Sequence, residues 1–397
     1  MSKLSNRIDA LSESQTIKMA AKSRELTAQG LDIINLSLGE PNFNTPDHIK
    51  DAAKKALDDG FTFYTPISGF LELRKAISDK FKRENNLDYA PDQIVVSTGA
   101  KQSIANAVLS LVNPGDEVII PAPYWATYEE ISKLAGGIPV FIQATVDHDF
   151  KITAAQLKAA ITPKTKLMIF STPCNPTGTV YTTEELKALA NVIAEKEDMY
   201  VLSDEIYEHI NFIDKHHSMA EIDFIKDRVI VVNGMSKGYA MTGWRIGYMA
   251  APKWIAQACD KLQAQFTSAT SSISQRAAIV ALNSDHSFTI EMCKAFRRRR
   301  DLVLDLMKDI PGLKANKPNG AFYIFPDISY YFGKKHEGQT IRSATDLCMY
   351  LLTEAHVALV TGEAFGDPNC IRFSYSAADE KLVEAIHRIK TALTKLK

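Results

Sequence analysis

VIVVNGMSKGYAMTGWR, residues 229–245, begins with an apolar run of strand length and continues into a turn that carries Ser236, Lys237 and Arg245. Ligands of an open parallel sheet bind beyond the carboxyl ends of its strands. A hydroxyl, an amine and a guanidinium at such an end could hold a phosphate and supply a reactive amine. Lys237 taken alone would be read as a solvated lysine at a helix start, but its neighbours favour a functional role.

Four more apolar runs of strand length precede this stretch, at residues 94–96, 118–120, 167–170 and 200–202. They are continuous rather than alternating, which is typical of parallel strands that are covered on both faces. Helical patterns separate most of them, and Thr182 with Glu185 forms a capping box for one such helix. The sequence therefore predicts an α/β fold whose mostly parallel sheet has helices on both faces.

The chain has 397 residues, more than one typical domain, and its pattern changes after residue 285. A long charged helix at 288–307 is followed by a strand-like run at 321–325 and an alternating run at 371–376. The alternating run indicates a half-exposed antiparallel strand. We expect a large domain at 46–285, a smaller α+β domain at 286–397, and an N-terminal segment, 1–45, that joins the small domain.

Composition excludes several classes of function. Lysine and arginine number 46 against 47 acidic residues, so the net charge of -1 indicates neither a nucleic-acid nor an anionic-membrane partner. The five cysteines are widely spaced without a C-x-x-C pair, and no apolar run has the length of a membrane span. These features, with an N-terminus that lacks an apolar leader region, predict a cytoplasmic protein.

Three further strand ends are rich in polar residues: STGAK at 97–101, STPCNPTG at 171–178 and SDEIY at 203–207. The first offers the amides of a helix N-terminus to an anion. Asp204 in the third could also be a plain helix cap. His209, His216 and His217 lack metal-ligand spacing, so no metal is predicted. The arginines at 297–300 spread around their helix and predict a solvated surface.

With SLGEPNF at 37–43, PYW at 123–125 and IRFSYS at 371–376, these motifs stand in an order that resembles the class I pyridoxal-phosphate (PLP) aminotransferases of fold type I, in particular the bacterial-type aspartate aminotransferases. The resemblance runs essentially end to end. It implies that Lys237 forms a Schiff base with PLP and carries the substrate proton. It also implies that Asp204 keeps the pyridine nitrogen protonated.

The resemblance assigns the remaining site residues as well. Tyr207 and Asn175 would bond the phenolic oxygen of PLP, and Trp125 would stack on the ring. Arg372 would clamp the substrate α-carboxylate near the backbone of Gly39. The implied phosphate ligands are Gly99, Ala100, Lys101, Ser236, Arg245 and, from a second subunit, Tyr64. The contribution of Tyr64 implies a homodimer.

The residues that would bind the substrate side chain are inferred from one difference from the family pattern and one agreement with it. Residues 264–275 contain no arginine, although many family members bind a distal carboxylate with one there. A second branch uses a lysine and a serine at the places of Lys101 and Ser14, which favours ping-pong transfer of the amino group from L-aspartate to 2-oxoglutarate, giving oxaloacetate and L-glutamate. Lys101 could equally be a plain surface lysine.

Two alternatives remain open, and a third is disfavoured. Related enzymes transaminate aromatic amino acids, alanine or prephenate, and others of the same fold are PLP lyases, because fold does not determine reaction. A cofactor-binding DNA regulator is disfavoured, since the short segment at 1–45 leaves no room for a helix-turn-helix module and the charge is neutral.

Overall fold

The computed structural model describes residues 4–213 and 215–397. Its helices are α1 Asn6–Asp9, α2 Gln15–Ala28, α3 Asp47–Asp58, α4 Leu71–Lys80, α5 Ala100–Leu111, α6 Thr127–Leu134, α7 Ala154–Ala160, α8 Thr183–Ala194, α9 Lys253–Phe266, α10 Ser272–Leu282, α11 Ser287–Met307, α12 Ala344–Glu354 and α13 Asp379–Thr394. Its strands are β1 Ile34–Asn35, β2 Ile94–Ser97, β3 Glu117–Ala122, β4 Ile138–Gln143, β5 Thr165–Ser171, β6 Tyr200–Asp204, β7 Val229–Gly234, β8 Gly247–Ala250, β9 Tyr323–Ile324, β10 Lys335–His336, β11 Gln339–Thr340, β12 Val357–Ala358, β13 Val360–Thr361 and β14 Ile371–Ser374.

A seven-stranded sheet in the order β2-β8-β7-β6-β5-β3-β4 forms the centre of the molecule. All of its pairings are parallel except the two that β8 makes with β2 and β7. In β7, Val229 and Val231 pack into one hydrophobic cluster and Ile230 and Val232 into another, and all four are fully buried. Both faces of the sheet are therefore covered, which confirms the predicted α/β fold.

The five predicted strands are all present, but β4 and β8 were not predicted. β4 is an edge strand that contains Pro139, and five of its six residues are exposed or half-buried. β8 has only four residues and lies close behind the turn of residues 235–246. Pro139 argues against a strand at β4 even though an apolar run follows it, and the four residues of β8 give little local signal.

A three-stranded antiparallel sheet in the order β13-β14-β9 forms a second centre. The antiparallel direction predicted for residues 371–376 is confirmed, but the predicted half-exposure is wrong. All four residues of β14 are buried, including Arg372 and Ser374. β14 is the middle strand, so polar side chains that alternate along it face other protein groups rather than water. β1 pairs in parallel with β12 through Ile34 and Val357.

The solvated surface predicted for the arginines of α11 is wrong for two of them. Arg299 is 7% exposed and donates from Nε to Asp379 and from Nη1 to Asn42. Arg300 is 3% exposed, and its Nη1 donates to the carbonyl of Pro318. Each guanidinium can be buried because fixed acceptors satisfy it, and the spacing of charges along a helix does not reveal such partners.

The carboxyl ends of β2, β5, β6 and β7 lie at one edge of the central sheet, where the polar motifs meet. The start of α5 packs tightly against β8 at this edge. A Cβ atom added to Gly247 would lie 2.0 Å from the amide nitrogen of Ala100. In the described part of the chain, no helix is long and apolar enough to cross a membrane.

Candidate active site

A cavity of about 830 Å³ opens at this edge of the sheet. Its walls combine residues from the strand ends, from the N-terminal segment and from β14. Of the residues predicted from the sequence, those that line it are Ser14, Gly39, Ala100, Lys101, Trp125, Asn175, Asp204, Tyr207, Ser236, Lys237, Arg245 and Arg372. Gly99 immediately precedes them as the N-cap of α5. Tyr64 does not line the cavity, and its side chain is 98% exposed.

Lys237 carries the amine of the cavity. Its Nζ donates to the carbonyl oxygen of Gly39 at 2.5 Å and lies 5.9 Å from the centre of the Tyr207 ring. Burial lowers the pKa of Lys237 to about 8, because the surrounding protein disfavours the charged ammonium. About a tenth of the amine is therefore uncharged at pH 7, far more than for an ordinary lysine, and this fraction can act as a nucleophile.

Asp204 ends β6 and is 3% exposed. One carboxylate oxygen accepts a hydrogen bond of 2.7 Å from the hydroxyl of Tyr128, and the other accepts one of 3.3 Å from the amide of Ile206. Burial raises the pKa of Asp204 to about 6, although these two donors oppose the rise. A cationic partner in the cavity would favour the charged carboxylate. Tyr128 was not among the residues predicted for the site.

The turn before α5 and the side chain of Arg245 form a positive end of the cavity. Gly99 has a φ of 84° and precedes helix amides that have no preceding turn to bond. A Cβ atom at Gly99 would lie 2.2 Å from Nη2 of Arg245, so only glycine lets the guanidinium come this close. The backbone of Arg245 is itself in the left-handed conformation, with a φ of 57°. With the hydroxyl of Ser236, this donor set suits a phosphate group.

Arg372 projects from β14 into the cavity. Its Nη1 donates to the side-chain oxygen of Asn175 at 2.9 Å, and its Nη2 donates to the carbonyl of Ser37 at 2.6 Å. The guanidinium lies between two aromatic rings, 4.6 Å from the centre of Tyr323 and 4.8 Å from that of Phe365. Its Nε has no hydrogen-bond partner among the described residues. The side chain is therefore fixed but retains donor capacity for an anion such as a carboxylate.

Two hydroxyls meet in the cavity wall. The phenolic oxygens of Tyr207 and Tyr323 lie 2.8 Å apart, and both side chains are buried. Sequence reasoning identified Tyr207 but missed Tyr323. The run at 321–325 is almost entirely apolar, so nothing in it distinguished Tyr323 from a core residue.

Lys101 and Ser14 line the mouth of the cavity. Nζ of Lys101 lies 4.9 Å from the centre of the Trp125 ring. The side chain is open to solvent through the cavity, yet the surrounding protein and the charge of Arg245 lower the pKa of Lys101. Ser14 is the N-cap of α2, and its oxygen accepts from the amide of Ile17 at 3.4 Å. Its hydroxyl proton remains able to donate to a ligand.

Histidines and carboxylates form two clusters, one half-buried and one buried. Potential ligand atoms come within 4.8 Å of one another in two groups, Glu84 with His209 and His286, and Glu205 with Glu208 and His216. A side-chain cation already accompanies each group. Nη2 of Arg83 lies 2.6 Å from Glu84, and the ammonium of Lys80 contacts Glu208. These ion pairs account for Glu84 and Glu208, and Glu205 accepts hydrogen bonds from the hydroxyls of Ser203 and Ser218, so we assign no metal to either group.

Comparison with known proteins identifies the class of protein that this fold and cavity define. A family model for class I and II aminotransferases matches residues 31–389. An aspartate/prephenate aminotransferase of Cereibacter sphaeroides is 47% identical over 393 residues, covering 98% of each chain. The chain belongs to the class I and II aminotransferase family.

Solved structures agree with this assignment. An aspartate aminotransferase from Rhizobium meliloti has a TM-score of 0.96 and 42% identity, and each chain is covered completely. An aspartate aminotransferase from Thermus thermophilus with maleate has a TM-score of 0.93 and 39% identity, over 99% of this chain and 100% of that one. The protein is therefore a transaminase of fold type I.

Proposed function

We propose that the protein binds PLP and transfers the amino group of L-aspartate to 2-oxoglutarate. One observation carries the proposal. A single cavity contains the amine of Lys237, the buried carboxyl of Asp204 and the guanidinium of Arg372, each held by named protein groups. A reactive amine, an acid for a ring nitrogen and an anion clamp are the parts that amino-group transfer with PLP requires.

The cavity fits the cofactor at both ends. The amides after Gly99, the hydroxyl of Ser236 and the guanidinium of Arg245 would hold the phosphate. The buried oxygens of Asp204 would face the ring nitrogen, where a protonated ring restores the charge that burial disfavours. When bound, PLP supplies an electron sink for the bond broken at the substrate Cα.

Four side chains would prepare the chemistry around the ring. Lys237 would first hold the cofactor covalently and, once released by the incoming amine, carry the proton from the substrate Cα. Its lowered pKa makes the neutral amine available as a base. Tyr207 and Asn175 would donate to the phenolic oxygen, and the Trp125 indole would cover one face of the ring and exclude water.

Substrate recognition would use both ends of the dicarboxylate. Arg372 would bind the α-carboxylate beside the backbone of Gly39, and Lys101 with the hydroxyl of Ser14 would bind the distal carboxylate. The solved Thermus thermophilus relative contains maleate, a small dicarboxylate, which supports a dicarboxylic substrate. Prephenate, named for the Cereibacter sphaeroides relative, is the second candidate and also carries two carboxylates.

We further propose a homodimer in which Tyr64 completes the phosphate site of the partner subunit. Tyr64 and Phe63 are 98% and 83% exposed, and two such neighbouring aromatic side chains are typical of an interface. The five cysteines are all free thiols, which suits the reducing cytoplasm that we propose as the protein's location.

Half-reaction spectroscopy tests the proposed function. L-aspartate alone should convert the visible absorption band of the PLP-loaded protein to that of the aminated cofactor, and 2-oxoglutarate should restore it. Borohydride reduction and peptide mapping should place the cofactor on Lys237. Release of ammonia or pyruvate instead of a reversible band shift would identify a lyase. If the amino acid that corresponds to prephenate converts the absorption band and aspartate does not, the second candidate is favoured.

A further inference from the structure

The hydrogen bond between the hydroxyls of Tyr207 and Tyr323 can run in either direction. The two oxygens lie 2.8 Å apart, so one phenol donates and the other accepts. Tyr323 is 1% exposed and Tyr207 4% exposed, which leaves little water to satisfy either group. A phenol has a single proton to donate. The direction of this hydrogen bond therefore decides what else each hydroxyl can do.

The proposed role of Tyr207 determines the direction. If Tyr207 donates to the phenolic oxygen of PLP, its one proton is used there. Its oxygen can then only accept from Tyr323. In the opposite arrangement Tyr207 would donate its proton to Tyr323. The phenolic oxygen of the cofactor would then face a lone pair of Tyr207 instead of a donor.

The surroundings of Tyr323 support a donor role. The guanidinium of Arg372 lies 4.6 Å from the centre of its ring, and this positive charge favours the loss or sharing of the phenolic proton. Burial raises the pKa of both phenols, and well above the ordinary value for Tyr207, while the charge of Arg372 opposes the rise in both. The more acidic phenol of a pair is the better hydrogen-bond donor.

The position of the Tyr323 hydroxyl is also fixed. A Cβ atom added to Gly39 would lie 2.5 Å from the hydroxyl oxygen, so the hydroxyl occupies space that only glycine leaves open. The backbone of Tyr323 is held by its pairing with Ser374 of β14. The ring lies 4.8 Å from that of Phe322. These contacts hold the Tyr323 ring with its hydroxyl beside that of Tyr207.

We propose that Tyr323 is a positioning residue whose hydroxyl donates to Tyr207 and so directs the single proton of Tyr207 to the phenolic oxygen of the cofactor. The inference rests on the proposed function, because it requires Tyr207 to face PLP. Hydrogen bonds in a chain polarise one another, so the donation from Tyr323 also makes Tyr207 a stronger donor. Tyr323 thereby connects the guanidinium of Arg372, through Tyr207, to the phenolic oxygen of the cofactor.

The pKa of the linkage between Lys237 and PLP, titrated through its visible band, tests the proposal. Donation to the phenolic oxygen stabilises negative charge there and so favours the deprotonated linkage. Tyr323→Phe should raise this pKa by about half a unit to one unit, the effect of one hydrogen bond. Tyr207→Phe should raise it further, and the double variant should match Tyr207→Phe alone, because Tyr323 acts only through Tyr207.

Tyr350→Phe is the matched control. Tyr350 is equally buried, and its hydroxyl donates to the carbonyl of Ala392 at 2.8 Å, away from the cavity. Its removal should leave the linkage pKa unchanged. A shift in Tyr350→Phe as large as that in Tyr323→Phe would reduce Tyr323 to a general structural role and overturn the proposal.

The outcomes separate the inference from the proposed function. If Tyr207→Phe leaves the pKa unchanged, the role of Tyr207 toward PLP is wrong. If Tyr207→Phe shifts it but Tyr323→Phe does not, or if the double variant shifts more than Tyr207→Phe, only the inference fails. Incorporation of 3-fluorotyrosine at position 323 keeps the hydroxyl and the fold but makes the phenol more acidic. The pKa should then fall, and a rise would contradict the proposal.

Discussion

Tyr128 is the residue that holds the acid of the site, through its hydrogen bond of 2.7 Å to Asp204. Tyr128→Phe should lower kcat by about 10-fold to 100-fold, since a hydrogen bond to a charged group contributes about 1.5 to 3 kcal/mol. Burial would then raise the pKa of Asp204 further above its present value of about 6. Steady-state kinetics measure the effect. Tyr128→His retains a donor and should recover part of the rate, whereas unchanged kcat in Tyr128→Phe would remove Tyr128 from this role.

Lys101 determines which substrates enter if the proposed distal contact is real. Lys101→Ala should reduce kcat/KM for aspartate about 10-fold or more and leave alanine nearly unaffected, because only the dicarboxylate loses a charge-assisted hydrogen bond. Lys166→Ala is the matched control, since Lys166 also lies over an aromatic ring, 5.1 Å from the centre of Tyr200, but does not line the cavity. Equal losses for the two substrates would show that Lys101 has no part in selection.

Candidate site residues that line the cavity are predictable from the sequence where a polar group follows an apolar strand, as at Asp204 and Lys237. It missed Tyr128 and Tyr323 because both are aromatic residues inside amphipathic or apolar segments. Their functional atom is a single hydroxyl, whose partner lies 76 residues away for Tyr128 and 116 for Tyr323. Only the folded chain reveals such pairs.

At the scale of elements, α8 tests how far local sequence controls structure. Thr182 accepts from the amide of Glu185 at 3.2 Å, and Glu185 accepts from the amide of Thr182 at 2.8 Å, which is the predicted capping box. Thr182→Ala should destabilise the protein by about 1 kcal/mol without changing activity. The midpoint of urea unfolding measures this loss. Thr183→Ala, one position inside the helix, should have a smaller effect, and equal effects would contradict the role of the cap.

The elements that were predicted correctly have local causes, and the errors have tertiary ones. The apolar runs of β5, β6 and β7 are recognisable because both faces are buried. The burial of β14 depends on its two partners, β9 and β13, which residues 371–376 alone do not reveal, and so the alternation around Arg372 wrongly indicated half-exposure. The same dependence on distant partners explains the buried arginines of α11.

At the scale of the whole molecule, acid stability depends on a buried ion pair behind the site. Burial by itself raises the pKa of Glu208, but Lys80 and two histidines outweigh it and lower the pKa to about 2. Because the pKa in the folded protein lies below the ordinary glutamate value of 4.5, this stabilisation is present above about pH 4.5 and is lost as the pH falls toward 2.

Glu208→Gln should therefore reduce the free energy of unfolding near pH 7 by about 3 kcal/mol, because buried Lys80 loses its nearer counter-charge and retains Glu84, 3.6 Å away. The variant should also lose part of the acid dependence between pH 4.5 and 2. Denaturant unfolding at a series of pH values measures both effects. Glu221→Gln, which removes a half-buried carboxylate from the surface, is the control. An unchanged pH profile in Glu208→Gln would contradict this account.

Subunit exchange tests the proposed dimer. Tyr64→Ala and Lys237→Ala should each be nearly inactive alone, but a mixed dimer has one site with an intact Lys237 and an intact Tyr64 from its partner. Activity of the exchanged mixture should therefore exceed the sum of the two variants. A mixture that only averages them would place Tyr64 outside the partner's site.

We also expect the segments 1–45 and 286–397 to move relative to 46–285 when substrate binds, since Arg372 and Ser14 lie in them.

The contact between Gly247 and Ala100 has a consequence for engineering. Any side chain at position 247 would push against the first amide of α5, and so an enzyme library that varies this strand would disturb the anchoring of the phosphate before it altered the substrate pocket. Selectivity should instead be redesigned at Lys101 and Ser14, which line the cavity and whose side chains are exposed and half-buried, respectively.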